Sequence, residues 1–217
     1  MNKPYYQDDL VTLYHGDCLE ITDWLAADVM VTDPPYGIKY SSGQRFASPK
    51  SSLIFSDDSL DVRDTVISMW SGPALVFGTW KRTRPLGISA LLIWDKGACP
   101  GMGDLTIPWG LSFEEIYVIG RGFMGPRGPG VLRVTGKKGA EVTKFNHPTP
   151  KPVDLMAQLI RKCPPGVIAD PFVGSGTTLV AAKGLGRRAI GIEIEERYCE
   201  IAAKRLAQDY LFGEVEK

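Results

Sequence analysis

The stretch Val167-Ile168-Ala169-Asp170-Pro171-Phe172-Val173-Gly174-Ser175-Gly176-Thr177-Thr178 decides the fold. Val167–Ala169 is a short continuous apolar run, as a strand buried on both faces requires. Gly174-Ser175-Gly176 then supplies a turn where a ligand can approach the backbone closely. A helical segment, Thr178–Gly184, follows at once. Strand, glycine turn and helix in that order mark the ligand end of an open α/β sheet. The turn is not a P-loop, because Gly-Lys-Ser/Thr is missing. Nor is it the dinucleotide fingerprint, because Leu179 stands three residues past Gly176 where that pattern needs glycine. Further on, the run Ala189–Ile192 ends in Glu193, where an acid is well placed to bind ribose hydroxyls. A compact nucleoside ligand without a pyrophosphate fits this arrangement better than NAD. Taken alone, the two glycines also suit a tight helix entry, and Glu193 also suits a solvated acid at a helix start.

Working outward, five more apolar runs read as strands: Val11–Tyr14, Asp28–Thr32, Ala74–Gly78, Leu91–Trp94 and Glu115–Ile119. Helical stripes fall elsewhere. Val62, Val66, Met69 and Trp70 form one. Val153, Met156, Ala157 and Ile160 form another behind Pro152, read as a first-turn proline. Tyr198, Ala202, Leu206 and Tyr210 form a third. Strands interspersed with helices predict an α/β layered fold with a mostly parallel sheet. Two stretches interrupt the pattern: the serine-rich Gly37–Leu60, and Gly97–Gly130 with its 9 Gly and 4 Pro. Val131–Val134 and Glu141–Phe145 predict a short hairpin around Thr-Gly-Lys-Lys-Gly.

The chain has 217 residues, 25 basic and 25 acidic. One domain, 1–217, is expected, large enough to bury a core without disulfides. The net charge of zero does not exclude nucleic acid, since a local patch binds phosphate. Arg121–Lys151 holds seven basic residues and one acid, Glu141. The four cysteines are widely spaced and there are two histidines, so neither a disulfide scaffold nor a metal site is expected. No apolar run is long enough for a membrane span and no signal peptide is evident, so a cytoplasmic location is the expectation.

A second motif, Asp33-Pro34-Pro35-Tyr36-Gly37, follows the apolar run Val29–Thr32. Two prolines fix the turn and remove two backbone donors. Asp33, preceding a proline, is held extended. The turn therefore offers two acceptors, the Asp33 carboxylate and the Pro34 carbonyl, with the planar Tyr36 nearby. An exocyclic amine on a nucleobase is a poor nucleophile, because its lone pair is shared with the ring. Two acceptors on its N–H bonds would draw the nitrogen toward tetrahedral geometry, and an aromatic face would stack on a base taken out of its helix. An ordinary proline turn with a surface carboxylate is the alternative reading of Asp-Pro-Pro alone.

Together these motifs resemble the amino-group DNA methyltransferases that use S-adenosylmethionine. Asp33-Pro34-Pro35-Tyr36 is similar to the catalytic motif of that family, and Asp170–Thr178 to its cofactor loop. Asn146-His147-Pro148-Thr149-Pro150-Lys151-Pro152 resembles the His-Pro-x-x-Lys-Pro element that precedes the loop. His15-Gly16-Asp17-Cys18-Leu19 resembles the segment that contacts the cofactor adenine. The catalytic motif precedes the cofactor loop, the circularly permuted order of the beta class. The resemblance implies a seven-stranded Rossmann-like methyltransferase sheet, order 3-2-1-4-5-7-6, with one antiparallel strand. It also places Gly174 beside Asp33 at a switch point.

By the same resemblance, Asp33, Pro34, Pro35 and Tyr36 are the catalytic residues. Asp33 also borders the cofactor. Asp170, Phe172, Gly174, Ser175, Gly176 and Thr177 line its methionine and ribose side. Glu193 takes the ribose hydroxyls, Asp17 and Cys18 read the adenine, and Lys151 lies near the amino-acid end. Asp at the first motif position points to adenine N6; cytosine N4 and an RNA amine are the alternatives. The expected partner is double-stranded DNA with the target base flipped. Residues 121–146 form a minimal target-recognition insertion and 37–60 a mobile loop over the site, with Arg45, Lys137 and Lys138 on the DNA. So small an insertion implies a short recognition sequence or help from a second subunit in a homodimer.

Overall fold

The computed structural model describes residues 2–36, 60–97, 106, 108–134 and 151–208. Nine strands among them form one sheet: β1 (Tyr6–Gln7), β2 (Val11–His15), β3 (Val29–Thr32), β4 (Ala74–Gly78), β5 (Ile88–Asp95), β6 (Phe113–Ile119), β7 (Val131–Arg133), β8 (Ile168–Asp170) and β9 (Ala189–Glu193). Their order is β1-β2-β9-β8-β3-β4-β6-β5-β7. The inner seven, β2 through β5, fall in the expected permuted order. β6 is antiparallel to both of its neighbours.

The expectation of seven strands with one antiparallel is therefore corrected at both edges. β1 adds an antiparallel strand against β2, and β7 adds a parallel strand against β5. Both are two or three residues long and lack the apolar run that identifies the inner strands. The predicted hairpin changes in the same way. Val131–Arg133 extends the sheet edge, and its expected partner Glu141–Phe145 lies outside the described residues.

Among the described residues four α-helices, α1 (Asp61–Met69), α2 (Val153–Ile160), α3 (Thr177–Gly184) and α4 (Glu196–Leu206), cover the sheet. Alternation along the strands sorts the core into two layers. Val29, Val31, Leu75 and Phe77 face α2, α3 and α4, whereas Met30, Ala74 and Val76 face Val66 of α1 and the buried Trp24. α2 buries six of its eight residues, all six apolar, and leaves Asp154 and Gln158 outward. Pro152 sits at its N-cap, one position before the first turn. α4 carries Glu196 in its first turn and Lys204 and Arg205 in its last, each at the end the helix dipole favours.

β8 and β3 are parallel neighbours at the centre of the sheet. The chain leaves β8 for α3 on one face and leaves β3 for α1 on the other. A crevice opens at their carboxyl ends, where ligands bind in such sheets. The opposite edge holds a different part of the chain. Because β6 is antiparallel, Ile119 ends beside Ala74 at the start of β4. Gly120 then lies against Pro73, and the Met124 N–H bonds the Lys162 carbonyl at the foot of α2. Arg121 and Arg127 thus belong to the edge remote from Asp33. Only with β7 does this segment climb back, and there Arg133 meets Asp95.

Candidate active site

On the β9 side, Glu193 ends its strand and folds back over the glycine turn. Its Oε2 accepts the Gly174 N–H at 2.6 Å and its Oε1 accepts the Glu195 N–H at 2.8 Å. Burial pushes its carboxyl up to about 7, against the pull of those two donors. Gly174 and Gly176 have φ of 52° and 87°, in the left-handed region that favours glycine. A side chain at Gly176 would also come within 2.8 Å of Ala202 in α4.

Asp170 ends β8 and is buried. It accepts the Thr32 hydroxyl at 2.7 Å and the Phe172 N–H at 3.1 Å. It thereby ties β8 to β3 below the crevice. Burial pushes this carboxyl up to about 6.

On the β3 side, both oxygens of Asp33 are engaged. Lys151 Nζ lies 2.5 Å from Oδ2, and the Tyr36 hydroxyl donates to Oδ1 at 2.7 Å. The same ammonium lies 3.1 Å from Glu114 Oε2, and Glu114 Oε1 receives Lys96. The Tyr36 hydroxyl lies 3.2 Å from Glu114 Oε2. Lys151 also sits over the rings of Tyr36 and Phe77, at 5.6 and 5.1 Å. Burial opposes its charge, but Asp33 and Glu114 outweigh burial and hold it well above the usual lysine range. Burial likewise opposes ionisation of Glu114, and Lys151 and Lys96 more than reverse it. The cluster is neutral as a whole: two carboxylates, two ammonium groups.

A pocket lies between these two sides. Its wall takes Asp17, Cys18, Asp33, Pro35, Phe172, Gly174 and Glu193 among the residues expected from sequence. Gly16, Val62, Pro171, Ile194, Glu195 and Tyr198 complete it. Pro34, Tyr36, Lys151, Asp170, Ser175, Gly176 and Thr177 are not in that wall. The surroundings of four of them are visible. Ser175 and Thr177 are buried and accept Arg205 Nη1, the carbonyl of Ser175 at 2.6 Å and the Thr177 hydroxyl at 3.2 Å. They face α4, with Gly176 against Ala202. Lys151 is turned toward Asp33. Arg45, Lys137, Lys138 and His147 lie outside the described residues.

Three described cysteines are buried free thiols, and burial pushes each of them up to about 12. Cys18 therefore borders the pocket as a neutral thiol, and its carbonyl is taken by the Trp24 indole at 2.9 Å. Among the described residues no group of three His, Cys, Asp or Glu side chains could hold a metal ion. No described helix is long and apolar enough to cross a membrane.

A crevice of this kind, with a glycine turn and acid on one side and an Asp-Pro-Pro-Tyr turn on the other, invites comparison with known proteins. The model of the N6/N4-type DNA methylase family matches residues 79–204, more than half of the chain. Type II methyltransferase M.HinfI of Haemophilus influenzae is 45% identical, across 96% of this chain and 71% of that protein. The chain belongs to the DNA methylase family. It is an amino-group DNA methyltransferase of the beta class, within the Rossmann-like superfamily. Type II methyltransferase M2.DpnII of Streptococcus pneumoniae is 28% identical, across 95% of this chain and 93% of that protein. The crystal structure of the M1.HpyAVI–SAM complex superimposes with a TM-score of 0.67 at 26% identity, covering 92% of this chain and all of that one. The cytosine-N4-specific PvuII DNA methyltransferase gives 0.69 at 16% identity, over 97% and 91%, a likeness of fold alone.

Sequence reasoning missed Glu114 and Lys96. Glu114 lies one residue before the run read as a strand, and the only signal was a pair of acids opening an apolar segment. Successive strand residues point to opposite faces. Glu115 accordingly meets Arg84 at 2.5 Å on the α1 face, and Glu114 meets Lys151 on the other.

Proposed function

We propose that this chain methylates the N6 amine of adenine in DNA, on a base turned out of the duplex. It is an S-adenosylmethionine-dependent enzyme, and the cofactor supplies an electrophilic methyl group on a sulfonium. The pocket fits that cofactor. Glu193 is an acceptor for paired ribose hydroxyls, while Val62, Phe172, Ile194 and Tyr198 give apolar walls for an adenine. Gly174 brings bare backbone to the wall. Asp17 and Cys18 border the adenine side in this reading.

One observation carries the proposal: a single pocket is walled by Glu193 and Gly174 on one side and by Asp33 and Pro35 on the other. A methyl group held from the first side faces an amine held by the second. Asp33 accepts one N–H of the amine, and the Pro34 carbonyl accepts the other. The nitrogen lone pair would then be directed at the methyl group, the N–C bond forming as the S–C bond breaks, with the thioether as leaving group and the surplus amine proton passing to solvent. Catalysis is positioning and hydrogen bonding, with no covalent enzyme intermediate. Lys151 and Tyr36 hold the Asp33 carboxylate in place. Among the described residues the cysteines, Cys18, Cys163 and Cys199, are buried thiols rather than exposed nucleophiles, which supports direct transfer.

The test is incubation of plasmid DNA with labelled cofactor, then mass analysis of the nucleosides. N6-methyladenine is expected. N4-methylcytosine as the product would overturn the choice of base, and labelled RNA with unlabelled DNA would overturn the choice of polymer.

A further inference from the structure

The connection between β4 and β5, Thr79-Trp80-Lys81-Arg82-Thr83-Arg84-Pro85-Leu86-Gly87, carries three cations and no acid. Its position follows from register. In the parallel pair β3–β4, Thr32 lies opposite Val76. β3 ends at Thr32 and β4 at Gly78, so the Asp33 turn and the Thr79 turn leave adjacent parallel strands at the same edge. The connection therefore starts beside the Asp33 turn, on the carboxyl edge.

It is held there by a built turn. The Arg82 N–H bonds the Thr79 carbonyl at 3.3 Å, and the Lys81 N–H bonds the Thr79 hydroxyl at 3.3 Å. Arg84 is pinned to the buried Glu115 at 2.5 Å, and Glu115 is steadied by the Tyr117 hydroxyl at 2.9 Å. Glu115 itself lies opposite Gly78, the last residue of β4. On this anchored turn Trp80 is 57% exposed, and Lys81 Nζ lies 5.9 Å from its ring. Lys81 and Arg82 are exposed as well.

A large aromatic ring in water, on a turn whose own sequence carries cations and no acid, is the make-up of a platform for bases and their phosphates. A protein partner would more often meet an apolar patch with mixed charge around it. We propose that the Trp80–Arg82 turn is a DNA contact. Lys81 and Arg82 would neutralise phosphates next to the target nucleotide, and the Trp80 ring would pack on a sugar or base exposed when that nucleotide leaves the duplex. This rests on the reading of the chain as a DNA methyltransferase. It adds to the expected target-recognition insertion 121–146, of which Arg121 and Arg127 lie on the opposite edge.

The test compares wild type, Trp80→Ala and the double variant Lys81→Ala/Arg82→Ala on a short fluorescein-labelled DNA duplex of mixed sequence. Anisotropy is read across a salt series, with calorimetry of S-adenosylmethionine binding alongside. The double variant is expected to lose about 2 from the log–log salt slope, at about 0.9 per phosphate contact. Trp80→Ala is expected to lose roughly tenfold in affinity. Cofactor affinity is expected to stay at the wild-type value in both. Variants that keep wild-type affinity and slope, while wild type binds and methylates DNA, would overturn the turn's role and leave the proposed function standing. Wild type that neither binds nor methylates the duplex would overturn both.

Discussion

On the β9 and β8 side of the carboxyl edge, Glu193 and Asp170 are held by backbone N–H and hydroxyl donors. On the β3 and β6 side, Asp33 and Glu114 are held by the ammonium groups of Lys151 and Lys96. Both sides bury acids, yet the outcome differs in sign. Burial with neutral donors leaves Glu193 at about 7 and Asp170 at about 6. Burial with cations holds Glu114 below the usual carboxylate range. The first side is an adaptable acceptor that can give up a proton when hydroxyls arrive. The second is a fixed charge whose geometry is set before substrate enters.

The sharpest way to break this comparison is Lys151→Met. It would leave Asp33 and Glu114 without their shared cation, and removing one partner of a buried pair costs about 3–5 kcal/mol. Urea unfolding should show a loss of that size, partly restored by adding Glu114→Gln. An unchanged midpoint would mean the ammonium is not what holds the two acids.

Next in size is Asp33→Ala, expected to slow single-turnover methyl transfer by about 10²–10³-fold, as loss of one preorganised hydrogen-bonding group does. Cofactor binding should largely persist. Full activity in this variant would remove Asp33 from the reaction.

Glu193→Gln tests the other side. Hydrogen bonds to a charged group contribute about 1.5–3 kcal/mol, so cofactor affinity should fall roughly 10- to 100-fold. The rate at saturating cofactor should fall less. If the rate fell and affinity did not, the two sides would have exchanged roles.

The smallest effect is on pH. Because the native state holds protons on Glu193 and Asp170 more tightly than the unfolded chain, their share of stability is complete below about pH 4 and is lost as pH rises through 6 to 7. Glu114 works in the opposite sense, since its contribution is lost on acidification. Thermal melts of the free protein at about pH 5 and about pH 8 should show a decline that Glu193→Gln reduces. Calorimetry in buffers of different ionisation enthalpy should also report proton release on cofactor binding near pH 7, absent in that variant.

The inner strands were legible because each is a run of apolar residues between turns. Ala74–Gly78 is buried along its whole length, so its sequence had no room for polar residues. The motifs at strand ends were legible for a related reason. Asp33 and Glu193 directly follow such runs, and the ends of parallel strands are where an open sheet leaves space. The edge strand β1 was not legible, because two residues paired on one side need no apolar pattern, and β7 was legible as a strand but not as a neighbour of β5. The packing of Ser175 and Thr177 was not legible, because a glycine-rich turn has two sides. Sequence could not show that Arg205, 30 and 28 residues away, closes one of them.

The sequence by itself determined the α/β class, the inner strands and the two turns that meet at the crevice. Periodicity and turn residues act locally, over a few positions, and so can be read without a fold. Only the tertiary structure decided that Lys151, 118 residues from Asp33, holds its carboxylate, that Glu114 shares that lysine, and that Arg121 lies on the far edge while Trp80 stands near the active turn. Those pairings depend on which strands the crossovers bring side by side and in which direction each runs. No spacing along the chain encodes that.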